Sequence, residues 1–365
     1  MKKDLRFRWI WTSLSALALG SVLVYLIGGW IAARVAGEPY RFMEYYYNFF
    51  NYEKYTTGHF PLCREIVIID AHDSSIGSRS GMADVLNRLS DLQPAVVGMD
   101  ILYPNTHEST EEEDRALSEA AARLGDRLVM AARMHGKDSL EHSFFTLSRG
   151  LTYATVNAQS FFGFTPTDSL SGKAVDKLVF ALAKRYTETV PDQPIINYES
   201  LSFRRITEPD QISSSLIDGK IVLIGDCQDS KDEVDLPFLV EGRTTLSGVK
   251  VNAYQLASLV QPSRALTKLP FVFSFAICFI LVFAYGFFVC IWPGESKETF
   301  LTIFGQPVAA LIVELLALLL LVFIIHWTGK IPNLLPFMGS VPFFGTCKKA
   351  VAHSYRLKHP DKPKP

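Results

Sequence analysis

The 365-residue chain lacks a strong charge of either sign: 36 lysines and arginines face 37 aspartates and glutamates, a formal net charge of −1. That balance excludes a basic nucleic-acid binder. Cysteine is scarce, five in all, and the eight histidines do not recur at metal-ligand spacing. No serine sits in a G-x-S-x-G elbow, no glycine-rich phosphate loop opens a helix, and H-E-x-x-H is absent. Enzymes built on those motifs are excluded, and no cofactor or resident metal is expected. Tryptophan is missing from the whole middle of the chain. What is present in quantity is hydrophobic side chains, at 48%, which exclude a disordered or collagen-like chain.

The near-zero total hides a partition. Residues 36–267 carry 22 basic and 32 acidic side chains, leaving 14 and 5 for the rest of the chain. Sorting of this kind is expected of a chain divided between two sides of a membrane. The first apolar stretch, Trp9 to Ala33, is long enough to span a hydrocarbon core of roughly 30 Å. Lys2, Lys3, Arg6 and Arg8 precede it, so the positive-inside rule places the N-terminus in the cytoplasm. A cleavable signal peptide would have a shorter apolar region, about 7–15 residues, and a small residue where Arg34 stands. An uncleaved anchor is therefore expected.

Three more apolar segments follow, at residues 269–292, 307–327 and 331–347; the last is interrupted by Pro332, Pro336 and Pro342. Four crossings return the chain to a cytoplasmic basic tail, 348–365. The expectation is a multi-pass membrane protein. Residues 1–8 and the tail would be cytoplasmic, and residues 34–268 extracytoplasmic. Trp9, Trp11, Trp30, Trp292 and Trp327 all fall at predicted segment ends, where an interfacial belt favours them. Glu314 stands mid-segment in Ala-Leu-Ile-Val-Glu-Leu-Leu. A carboxyl group there is costly and reads in two ways. One is a proton site or a contact to a basic group of a partner subunit, and the other is a protonated glutamic acid bonded to a neighbouring helix, for example to Tyr285.

Residues 34–63 include an aromatic run from Tyr40 to Tyr52, read as a juxtamembrane helix lying along the headgroups and under the domain, in preference to a sugar-stacking surface. From Arg64 the pattern alternates. Ile66–Asp70, Ala95–Asp100, Leu128–Ala132 and Lys220–Asp226 are short apolar runs of the buried-strand kind, with further strands around Ile195 and Phe203. Between them, Met82, Val85, Leu86, Leu89 and Leu92 recur at helical spacing. Thr110 with Glu113 forms a capping box, and another helix is expected over Lys173–Tyr186. The predicted fold is α/β, a mainly parallel sheet with helices on both faces, covering residues 64–267.

Asp70, Asp100 and Asp226 stand at or just past the carboxyl ends of strands, the edge where open α/β sheets bind ligands. With His72, Asp73, Ser75 and Asp232 they form the candidate ligand-binding set, suited to a cation or a cationic molecule. The competing reading makes them caps and loop braces. Asp226, Asp229, Asp232 and Asp235 recur every third residue, but the order of a calcium loop is absent, so a solvated acidic loop is expected. Cys63 precedes a strand and Cys227 follows one. Parallel strands would hold these thiols more than about 15 Å apart, so no bridge is predicted.

Five blocks in order, Ile66–Ser75, Val97–Pro104, Ile196–Tyr198, Gly219–Gly225 and Leu246–Ala253, resemble the type-2 CHASE domain, an extracellular sensor associated with bacterial cyclases and histidine kinases. The likeness covers roughly Arg64 to Val260 and extends to one apolar segment before the domain and three after. Asp70, Asp73, Ser75, Asp100 and Asp232 match family positions, whereas His72 replaces an acid and Asn252 a histidine. The resemblance implies a receptor-like subunit of a bacterial inner (plasma) membrane. Its outer domain would bind a small-molecule or cationic ligand or a periplasmic partner, and it would signal through an unknown membrane or cytoplasmic output protein, with homo-oligomerisation open. A structural subunit of an envelope complex is the alternative. A third reading is an extracytoplasmic enzyme using the Asp70/Asp73/Asp100 rim, although no catalytic motif supports it.

Overall fold

The computed structural model describes residues 9–19, 21, 43–104, 110–136, 138–156, 165–190, 195–261, 266–291 and 323–331, with single positions between 316 and 354. The chain forms two compact units, one of residues 42–266 and one of residues 1–41 with 267–365.

The first unit is built on a seven-stranded sheet. In chain order its central elements are β1 (Leu62–Asp70), the single turn α2 (Ser74–Gly77), α3 (Arg79–Asp91), β2 (Val96–Met99), α4 (Glu111–Leu124) and β3 (Leu128–His135). These are followed by β4 (Ser139–His142), β5 (Thr152–Thr155), β8 (Ser202–Ile206) and β9 (Ile221–Gly225). The hydrogen-bonded order is β4-β3-β2-β9-β1-β8, with β5 also on β3, and every pairing is parallel except β3–β4. β9 carries no exposed residue. Its apolar run follows from its place between β1 and β2, with both faces covered.

Helices cover both faces. α3 and α4 pack together on one, where Val85, Leu86, Leu89, Leu117, Ala121 and Leu124 close the core with Val97, Met130 and Val222. The Thr110 capping box forms as expected. On the other face lie α5 (Leu178–Tyr186) and α7 (Gly248–Val260). Gly98 on β2 admits α5 closely, since a Cβ there would fall 2.5 Å from Leu182 Cδ1.

Two departures from expectation have local causes. The helix expected from Lys173 starts at Leu178, because β7 (Lys173–Asp176) first pairs with β6 (Thr167–Leu170). Their turn, Ser171-Gly172, has φ of 47° and 78°, as a two-residue hairpin requires. The strand expected around Ile195 is reduced to a single bridge with Leu266, the segment after it being held by side chains instead. The aromatic segment forms the expected helix, α1 (Met43–Thr57), which is part of this unit. Tyr47 and Asn51 are fully buried and hydrogen-bond the segment around Ile196 to Ser200.

The short α6 (Ser214–Ile217) precedes β9, and a hairpin of β10 (Glu233–Val240) and β11 (Arg243–Ser247) leads into α7.

In the second unit, Trp9 donates its indole N–H to the Phe283 carbonyl at 2.8 Å and stacks on the Phe283 ring. Phe283 belongs to α8 (Phe271–Ile291), whose side chains are described from Val272 to Gly286. Among the described residues no helix is long and apolar enough to cross a membrane, so the expected four-helix membrane part is not observed. Segments 9–33, 307–327 and 331–347 are described only in part. Trp30, Trp292 and Glu314 lie outside the described residues. Trp11 and Trp327 are exposed.

Candidate functional site

Because β9 lies between β1 and β2, the three strand-end acids share one edge. Asp70 pairs with Gly225 in register, and the Asp100 amide donates to the Ile224 carbonyl at 2.7 Å. Their side chains nevertheless divide between two cavities. Asp70, His72, Asp73 and Ser75 line one of about 550 Å³, whereas Asp100, Asp226 and Asp232 line one of about 740 Å³.

In the smaller cavity the acids serve the backbone. Asp70 is buried and accepts from the amides of His72 (3.1 Å) and Cys227 (3.0 Å), and from Arg205 Nε (2.8 Å) on β8. Burial pushes its carboxyl up, but the Cys227 amide, Arg205 and the His72 amide together outweigh it and hold the group below the usual range. Asp73 caps α2 through the Ser75 amide at 2.8 Å. Asp226 accepts from the Gln228 amide at 2.7 Å and meets His72 Nδ1 at 3.1 Å.

A group whose folded pKa is lowered from 3.8 stabilises the fold above that pH and loses the contribution as pH falls. Asp70→Ala strands two loop amides and Arg205, and is expected to cost about 2–4 kcal/mol at pH 7. Chemical unfolding at pH 7 and pH 3 checks this, since the deficit should shrink at the lower pH. Equal deficits at both would refute the assignment.

Asp100 differs in its surroundings. It is half-buried at the end of β2, and its carboxylate accepts from Asn252 Nδ2 of α7 at 2.7 Å. Burial pushes its carboxyl up to about 6; Asp232 adds to the rise, while the Asn252 bond and Arg133 oppose it. Burial also raises Asp232, with Asp229 and Asp226 adding and the Gly248 amide opposing. A Cβ at Gly248 would sit 2.3 Å from Asp232 Oδ2, so glycine lets that carboxylate lie against the start of α7.

β4 completes the cleft. Ala132 pairs with His142 on one side of β3 and Thr155 on the other, so β4 runs in the lane that β2 leaves after Met99. Arg133 and Glu141 are cross-strand partners there, and both line the cleft with Asp100. Two carboxylates on one cleft wall, Asp100 and Asp232, can receive a cationic group, and the Arg133 guanidinium offers a partner for an anionic one.

The CHASE2 domain family model matches residues 26–288, more than half the chain. The chain belongs to the CHASE2 domain family. The match is wider than the resemblance read from Arg64 to Val260, and it takes in α1. No curated protein and no solved structure gives a significant match. CHASE2 is a sensor domain family associated with signalling proteins.

Among the cleft residues outside the candidate set are Arg133, Glu141, Asn252 and Tyr198. Asn252 stands where the family pattern carries a histidine, which was a usable signal. Arg133 and Glu141 could be found only from the β3–β4 register, and Tyr198 only from the path of an irregular segment.

Proposed function

We propose that this CHASE2 chain is a receptor-like subunit of a bacterial inner membrane, with residues 34–268 outside the cytoplasm and both termini inside. Its outer unit binds a small ligand bearing a cationic group in the Asp100 cleft. The bound state is passed to a membrane or cytoplasmic partner protein. The charge partition and the placement of the tryptophans support the topology. The reading is carried by one observation: among the described residues no basic side chain is ion-paired to Asp100, at the carboxyl edge of the sheet, as Arg205 is to Asp70, and Asp100 opens onto a cleft of about 740 Å³.

The test is thermal unfolding of the full chain in mild detergent with monoamines, diamines, guanidinium compounds and amino acids, using succinate and phosphate as anionic comparators. A cationic compound at a hundred times its Kd should stabilise the protein by about 2.7 kcal/mol. Asp100→Ala should abolish that gain. Stabilisation by the anions alone, or retention of the gain in Asp100→Ala, would reject the cleft as a cation site.

A further inference from the structure

Residues 195–201 form a buried strap without regular secondary structure, in which Ile195, Ile196, Tyr198, Ser200 and Leu201 are almost wholly inaccessible. Buried backbone outside a sheet must find its partners elsewhere. Here two helices supply them by turns. From α1, Tyr47 donates its hydroxyl to the Ile196 carbonyl (3.1 Å), and Asn51 donates to the Tyr198 carbonyl (3.0 Å) while accepting from the Ser200 amide (2.7 Å). From α7, Ser258 Oγ accepts from the Asn197 amide and the Tyr254 hydroxyl from the Leu201 amide, both at 2.9 Å.

The same strap reaches the cleft. Tyr198 lines it beside Val251 and Gln255 of α7. Its ring is enclosed by Tyr47 of α1, Phe238 of β10 and Tyr254 of α7, at centroid distances of 6.2, 5.3 and 5.9 Å. The strap is also tied to both ends of the unit. α1 begins at Met43, next to the unit's first residue, and the Ile195 amide donates to the carbonyl of Leu266, the unit's last residue.

We propose that the strap 195–201, acting through Tyr198, transmits occupancy of the Asp100 cleft to α1 and to Leu266, the two points where the chain enters and leaves the unit. This rests on the cleft being the ligand site. Close-packed interiors respond to displacement by moving neighbours together, so a shift of Tyr198 must be taken up by Tyr47 and Tyr254. The strap is the part able to shift, because side chains hold its backbone, whereas ladders on both sides hold β1, β9 and β2.

The test needs no ligand. Val251→Phe extends a side chain at the cleft wall as a covalent occupant, and hydrogen exchange of the full chain is followed in α1 and, as reference, in α3 and α4 on the opposite face. Exchange in α1 should change about fivefold or more, with α3 and α4 unmoved. In a Tyr47→Leu, Asn51→Ala background, which removes the buried α1 side chains that hold the strap, Val251→Phe should have little further effect on α1. Unchanged α1 exchange, equal changes in all three helices, or an effect of full size in the Tyr47→Leu, Asn51→Ala background would overturn the relay. If Phe prevents folding, Val251→Ile applies the same criteria at smaller amplitude. An intact relay with no cation-stabilised state would locate the failure in the ligand class instead.

Discussion

Replacing Arg79 with alanine is expected to cost about 3–5 kcal/mol, the largest loss anticipated from any single substitution in this chain. Arg79 opens α3 and Asp114 sits in the first turn of α4; the two form an ion pair with 9% and 8% exposure. The guanidinium also lies over the rings of Tyr103 and Phe144, 5.8 and 5.3 Å from their centroids. A cation at a helix N-terminus opposes the helix dipole, so Arg79 owes its position to Asp114 and the two rings. Truncation leaves the Asp114 carboxylate buried with a main partner removed, and that uncompensated charge sets the magnitude. The loss is large against the 5–15 kcal/mol typical of a domain. Chemical unfolding of the full chain measures it. The double variant Arg79→Met with Asp114→Leu should recover most of the loss, because removing both charges leaves nothing to solvate. A single-variant loss below about 1 kcal/mol would show that the pair is solvated and replaceable.

How far the fold could be read ahead of the structure depended on the range of the interactions. The runs Ile66–Ile69 and Ile221–Ile224 identify buried parallel strands because covered faces demand apolar side chains at every position. Thr110 and Glu113 identify a helix start because the capping box is complete within four residues. The insertion of β9 between β1 and β2 is not local, since it joins segments some 150 residues apart in the chain. The hairpin of β10 and β11 left a local trace that was passed over. Leu236, Phe238 and Val240 alternate inward, and the Glu241-Gly242 turn has φ of 53° and 77°. In α1 the aromatic run identifies a helix beneath the domain, but the residues that fix it there, Tyr47 and Asn51, four apart on one helix face, have partners near residue 198 that no local pattern reveals.

The site shows the same limit more sharply. Asp70 and Asp100 are equivalent in sequence, each closing a buried strand. They diverge because the Cys227 amide, Arg205 of the neighbouring β8 and the His72 amide converge on Asp70, whereas Asp100 meets an amide and a second carboxylate. That contrast leads to opposite expectations for their removal.

Asp100→Asn is expected to stabilise the unliganded protein while abolishing its response to cations. The sign follows from the direction of the shift. Burial and Asp232 raise the folded pKa from 3.8 to about 6, so the folded state holds a proton that the unfolded state has released over that interval. Stability from this group is therefore present below about pH 4 and is lost as pH rises through 6. Asparagine keeps the volume and the acceptor for Asn252 but cannot ionise. The variant should match the parent near pH 4 and exceed it above pH 7, by about 2–3 kcal/mol for a shift of this size. Unfolding midpoints at pH 4.5, 6 and 8 give the comparison, and a variant that gains nothing between pH 4.5 and 8 would refute the raised carboxyl. Cation affinity of the parent should rise over the same interval, because the ionised carboxylate is the acceptor. A binding residue that costs stability when unoccupied matches the trade-off seen where function, and not folding, retains a buried charge. A cation in the cleft would repay that cost on binding, which makes occupancy itself the event the protein can report.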